Sequence, residues 1–173
     1  MLFIDVRGFT SLSEMMPPTE VAARLNRFYA LASAVIFDLD GTLDKLIGDE
    51  VMAFFGAPYP LVDHPKRAVQ AANRIIRGVD DLGEEAHFRV GGGVATGEAF
   101  VGNVGGSEIA DFTVLGDVVN TAARLQGVAQ PGEIVVTEET YRTVADDFPG
   151  AELRVLALKG KSEPVSARVI RAW

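Results

Sequence analysis

The chain has 173 residues, no cysteine, and a formal charge of −8 from 16 basic against 24 acidic side chains. That length is one domain that buries its own core without disulfide or thiolate–metal staples, and the missing thiols suit a reducing cytoplasm. A net negative chain lacks the basic face that a nucleic-acid coat needs, whereas a free nucleotide remains compatible if metal ions and a few placed lysines carry its charge. No apolar run approaches a membrane span, and Met1-Leu2-Phe3-Ile4-Asp5 has neither a basic n-region nor a long apolar h-region. The chain opens inside a strand-like run, so residues 1–173 read as a single module cut from a longer protein.

Residues 2–6 form a short buried strand ending at Asp5. Pro17-Pro18-Thr19-Glu20 starts a helix with Thr19 as cap, and Val21, Leu25, Phe28, Ala32 and Val35 carry an apolar stripe to about Asp38. Leu43 to Ile47 and Val51 to Phe55 make a hairpin about Gly48-Asp49-Glu50, with Glu50 a solvated turn residue. A second helix spans about Asp63 to Leu82, with Ala68, Ala71, Ile75 and Val79 on one side. His87 to Ala95 and Glu98 to Val104 read as a glycine-rich hairpin, followed by a helix over Asp117 to Gln126. A strand at Ile134 to Val136, a short helix capped by Thr137, and strands near 152–158 and 165–170 complete the chain. The order is β-α-β-β-α-β with a C-terminal αβ extension, an α+β fold of ferredoxin-like type. Strand one then lies antiparallel beside strand three, which brings Asp5 to Asp49.

Two carboxylates at strand ends, each beside glycine, are what a Mg²⁺ or Mn²⁺ site for a polyphosphate needs, and the Val6 carbonyl adds a backbone ligand. Aspartate is a common turn former, but the convergence of two favours a site. Gly8-Phe9-Thr10 leads away from the first strand, so its backbone N–H groups can face a triphosphate.

Phe3 to Thr10, Lys45 to Gly56 and Gly116 to Arg124 together resemble the catalytic domain of the class III adenylyl and guanylyl cyclases, over nearly the whole chain. The resemblance implies two metal ions per site, held by Asp5 and Asp49, for in-line attack of the ribose 3′-hydroxyl on the α-phosphate of ATP. Lys45 matches the family's purine-reading position. A lysine only donates, which suits adenine N1 and not the N1–H of guanine. Thr113 is the second base reader, where many members carry aspartate; its hydroxyl accepts or donates and discriminates less sharply. The lysine–threonine pair is similar to that of bicarbonate-responsive cyclases. Asn120 and Arg124, four apart on one helical face, match the ribose-orienting and charge-neutralising pair. Lys159 matches the triphosphate lysine. The basic residue that some members carry before the base-reading segment is missing, since nothing between Gly97 and Ala123 is basic. The family also implies a head-to-tail homodimer with shared sites, an upstream regulatory domain in the longer protein, and a cytoplasmic setting without membrane contact by this domain.

Other motifs compete. Val35 to Thr42 resembles the first motif of haloacid dehalogenase-like phosphohydrolases, with Asp38 as nucleophile and Asp40 as acid, yet its apolar residues continue the helical stripe. Gly160-Lys161-Ser162 lacks the earlier glycine of a P-loop, which is Val155 here. Gly48-Asp49-Glu50-Val51 echoes the diguanylate cyclase signature without its first glycine or its phenylalanine. His64 and His87 are isolated. A catalytically silent, cyclase-like dimerisation domain is the alternative of a different class.

Overall fold

The computed structural model describes residues 1–83, 88–106, 110–158 and 163–172. Strand β1 (Leu2–Val6) is its spine, buried at Leu2, Phe3, Ile4 and Val6, as suits a strand covered on both faces. It pairs antiparallel with β3 (Glu50–Phe54) on one side and β4 (Val90–Val94) on the other. Strand β2 (Thr42–Ile47) closes a hairpin onto β3. On the far side β4 runs parallel to β7 (Glu133–Thr137), which pairs antiparallel with β9 (Val165–Arg171), itself flanked by β8 (Glu152–Leu156). The order β2-β3-β1-β4-β7-β9-β8 contains the expected ferredoxin-like core and its extension.

Strand alternation gives the sheet two cores, one on each face. Leu2, Ile4 and Val6 pack with Phe28, Ala32 and Ile36 of α2 (Pro18–Asp38) and with Ala68, Ala72 and Ile75 of α3 (His64–Leu82). Phe3, Met52 and Phe54 face the opposite way, onto Val118, Ala122 and Leu125 of α4 (Asp117–Val128). By the same parity Asp5, Arg7 and Glu50 belong to the α4 face. Helix α4 lies directly on β4 at Gly93, where a Cβ would stand 2.3 Å from the Ala122 carbonyl oxygen and 2.3 Å from the Gln126 nitrogen. Both are backbone atoms, so nothing can rotate aside. Gly93→Ala is therefore expected to cost about 2–3 kcal/mol in chemical denaturation and to lower turnover by displacing α4.

Several sequence expectations are corrected. The segment that leads away from β1 after Gly8 is itself helical, α1 (Phe9–Met15), an element absent from the chain-order expectation. Helix α2 begins at Pro18, with Pro17 as cap and Thr19 already inside, because proline suits the first helical position, where an N–H has no acceptor. Residues 98–104 do not pair with β4; β5 (Phe100–Gly105) pairs with β6 (Ala110–Leu115) in a separate ribbon. Strand β4 has both edges taken by β1 and β7, which leaves no edge for a hairpin partner. Val35-Ile36-Phe37-Asp38 is helical, and exposed Asp38 bonds Arg74 at 2.6 Å, so the phosphohydrolase arrangement has no strand to stand on. Thr137 does cap α5 (Glu138–Arg142), accepting from the Thr140 amide. His87 lies outside the described residues.

Candidate active site

The turn that sets the first cluster is short. Ile47 pairs with Glu50, so Gly48-Asp49 is a two-residue hairpin loop, and Gly48 adopts φ 62 as primed turns require. Asp5 lies across from Glu50 on β3 and Gly91 on β4. The carboxyls of Asp5 and Asp49 thus meet, and Asp49 is pushed up to about 6, first by burial, then by the hydrogen bond and charge of Asp5. Glu50 is not a solvated turn residue: it is half-buried, and burial together with Asp5 and Asp49 pushes it up to about 7. Arg7 lies 3.8 Å from Asp5 and donates to the carbonyls of Gln126 (3.0 Å) and Gly91 (3.3 Å), tying the carboxylates to α4 and β4. Burial lowers its pKa against the opposing pull of the three carboxylates. The Tyr29 hydroxyl donates to the Gly48 carbonyl and holds the turn to α2. Neither Arg7, Glu50 nor Tyr29 is flagged by local pattern; only their meeting in space marks them.

Crowded carboxylates beside a single guanidinium are a hard oxygen donor set that fits a divalent cation. Among the described residues no three His, Asp or Glu side chains form a ready-made protein cage. Mg²⁺ sites that also use substrate phosphates need only one or two carboxylates. Val6 closes β1, and Gly8, at φ 74, starts α1, whose first-turn amides at Phe9 and Thr10 have no intrahelical acceptors.

The raised values carry a sign for stability. A folded carboxyl titrating above its unfolded value binds extra protons in the native state, so its contribution is full below about pH 4 and is lost as pH rises through 6 to 7 for Asp49 and Glu50. In chelator, the melting temperature should therefore fall across this window more steeply for the wild type than for Asp49→Asn/Glu50→Gln. Mn²⁺ should recover the wild type's loss at pH 8. Equal slopes in the two proteins would contradict the assignment.

A second cluster sits where β2 meets β6. Lys45 bonds Asp111 and lies 3.7 Å from Asp44; its pKa is raised mainly by the Asp111 hydrogen bond, so it stays a cation and a pure donor. Buried Thr113 donates to Asp44 at 3.0 Å. The two expected base readers therefore share one neighbourhood, and Asp44 and Asp111 are additions that sequence reading missed. Asn120 and Arg124 lie on α4 away from its buried stripe of Val118, Ala122 and Leu125; Asn120 is exposed and Arg124 half-buried. Lys159 lies outside the described residues.

A ferredoxin-like core with acidic strand ends and an Asn/Arg helix over its glycine-rich fourth strand defines a nucleotidyl cyclase module. The chain belongs to the family described as the adenylate and guanylate cyclase catalytic domain, whose model matches residues 1–169. It is 33% identical to the adenylate cyclase of Anabaena cylindrica, over 99% of this chain and 36% of that protein. Its fold matches the crystal structure of the adenylyl cyclase CyaB from P. aeruginosa with a TM-score of 0.90 at 31% identity, over 99% of this chain and 93% of that one. The guanylyl cyclase Cya2 matches with a TM-score of 0.91 at 30% identity, over 98% and 89%. The chain spans little more than a third of the Anabaena relative and 27% of a Mycobacterium tuberculosis relative. No helix among the described residues is long and apolar enough to cross a membrane.

Proposed function

We propose that this domain converts ATP to 3′,5′-cyclic AMP and pyrophosphate. The observation that carries this reading is the meeting of Asp5 and Asp49 at the β1–hairpin junction of a cyclase-family chain; the charged Lys45, beside Asp44 and Asp111, belongs to the separate base-reading cluster. Asp5, Asp49 and the Val6 carbonyl would hold two divalent ions, which when bound lower the pKa of the ribose 3′-hydroxyl and neutralise the triphosphate. The backbone amides of Gly8 and of the first-turn residues Phe9 and Thr10 would bind phosphate oxygens, as would the Lys159 ammonium. Asn120 orients the ribose, while Arg124 stabilises the charge that grows on the α-phosphate as its bond to the 3′-oxygen forms and its bond to the pyrophosphate oxygen breaks. Lys45 donates to adenine N1, and Thr113 meets the 6-amino group.

Assembly follows from the same division of labour. Phe100 and Leu115 face each other across the β5–β6 ribbon, both more than half exposed, and Phe112, Leu46 and Ile47 add to the open apolar surface. Such a patch suits a partner, and a second copy placed head to tail would complete two equivalent sites. The domain is read as one module, residues 1–173, of a longer cytoplasmic protein with an upstream regulatory domain.

The test is product formation by purified protein with Mg²⁺ or Mn²⁺, supplied with ATP or GTP. Cyclic AMP as the main product supports the reading; cyclic GMP as the main product reverses the base assignment, and no product from either favours the silent dimerisation domain. Lys45→Glu replaces a donor with an acceptor and should reduce ATP kcat/KM about five- to 150-fold, from a loss of about 1–3 kcal/mol, with charge repulsion adding to it. Unchanged selectivity for ATP over GTP would remove Lys45 from the base pocket.

A further inference from the structure

The β2–β3 ladder is irregular at one point. Leu43 pairs with Ala53 and Lys45 with Met52, so Asp44 is the extra residue of a β-bulge. In a regular strand adjacent side chains point to opposite faces, and a bulge re-aims one of them. Here Asp44 and Lys45 both reach the β6 cluster: the Asp44 Oδ2 atom lies 3.0 Å from the Thr113 hydroxyl and 3.7 Å from the Lys45 ammonium. The Asp44 side chain is fully buried, and its Oδ1 has no partner. A carboxylate kept in that position, at the cost of an unpaired oxygen, calls for a use.

We propose that Asp44 is a specificity-determining positioning residue: by accepting the Thr113 hydroxyl proton, its carboxylate makes that hydroxyl a fixed acceptor for the purine 6-substituent and so selects adenine over guanine. The inference rests on the ATP reading above and deepens it. A free threonine hydroxyl rotates to donate or accept, so it serves the amino group of adenine and the 6-oxo group of guanine alike. Once its single proton is committed to Asp44, only lone pairs remain for the base. Adenine N6–H then finds an acceptor, and guanine O6 meets a second acceptor. The Asp44–Thr113 relay thus reproduces the polarity of the aspartate that many family members carry at the threonine's position. Lys45, beside the same carboxylate, stays a donor for adenine N1, so the two readers present opposite polarities, as adenine requires.

The test compares binding of N-methylanthraniloyl-ATP and -GTP with Mn²⁺, alongside kcat/KM for ATP and GTP, in the purified wild type and four variants. Asp44→Thr keeps the side-chain size but leaves two hydroxyls without a fixed proton direction. Its ATP-over-GTP ratio should fall about tenfold, the scale of one mismatched hydrogen bond. Exchanging the pair, Asp44→Thr with Thr113→Asp, should return the ratio to within about threefold of wild type, because the carboxylate then faces the base directly. A merely structural role for Asp44 would not restore selectivity in this way. Asp44→Asn, whose amide donates as well as accepts, is read in the same way if Asp44→Thr does not fold. A wild-type ratio in the Asp44 variants, with a lowered ratio in Thr113→Val, overturns the relay and leaves the ATP reading standing. A wild-type ratio in Thr113→Val as well overturns both the threonine assignment and the relay. The binding ratios decide the point even if no variant forms cyclic product.

Discussion

Asp5→Ala and Asp49→Ala should each lower cyclic AMP formation by at least about a thousandfold, the loss expected when several kcal/mol of metal-dependent transition-state stabilisation disappear. Their thermal stability in chelator should be equal to or above that of the parent at neutral pH, because each substitution removes a half-buried carboxyl or a neighbouring charge, and burial followed by that mutual repulsion is what pushes Asp49 up to about 6 and Glu50 up to about 7. That pairing of lost activity with kept or gained stability separates a site carboxylate from a structural one. Asp38→Ala supplies the contrast. Its exposed 2.6 Å ion pair with Arg74 is worth under about 1 kcal/mol, and turnover should stay within about twofold of wild type. Near wild-type activity in either site variant, measured with saturating Mn²⁺, would dismiss the two-metal assignment. Loss of activity in a folded Asp38→Ala would return attention to the α2 terminus.

Mixing inactive Asp5→Ala with inactive Arg124→Ala should restore about one quarter of the wild-type rate. Random exchange makes half of the dimers mixed, and each mixed head-to-tail dimer has one intact site and one doubly damaged site. The intact site takes Asp5 and Asp49 from one copy and Lys45, Asn120 and Arg124 from the other. Such recovery needs both shared sites and subunit exchange, so exchange is followed separately by labelling the two variants. Exchange without recovered activity would mean that each chain completes its own site. Weak pairing of the isolated domain would show as specific activity that rises with protein concentration.

Much of this was legible along the chain because its signals are local. The apolar stripe from Val21 to Val35 and the Ala68–Val79 face carry the helical period, and both reappear as the cores of α2 and α3, with Val21 and Leu25 at the half-buried margin. A glycine followed by aspartate between two strand-like runs marks the Gly48-Asp49 turn, and a βαββαβ order brings β1 beside β3, so the approach of Asp5 to Asp49 follows from topology. The i,i+4 spacing of Asn120 and Arg124 needs only a helix to bring both to one face.

What depended on tertiary structure concerns pairing and burial, which no local period encodes. Residues 90–94 and 100–105 look like consecutive hairpin strands, yet β4 is claimed on both edges by β1 and β7, and β5 turns to β6 instead. Glu50 follows a turn, as a solvated residue would, but the register opposite Asp5 draws it into the carboxylate cluster. Asp44 shows the limit most clearly. Its neighbour Lys45 is singled out by its spacing to Asp49, whereas Asp44 is set apart only by the bulge in the β2–β3 pairing and by its hydrogen bond from Thr113 across the fold. A single residue inserted into a ladder leaves no periodic trace in the sequence, but it changes which side chains meet and hence which proton a hydroxyl can give.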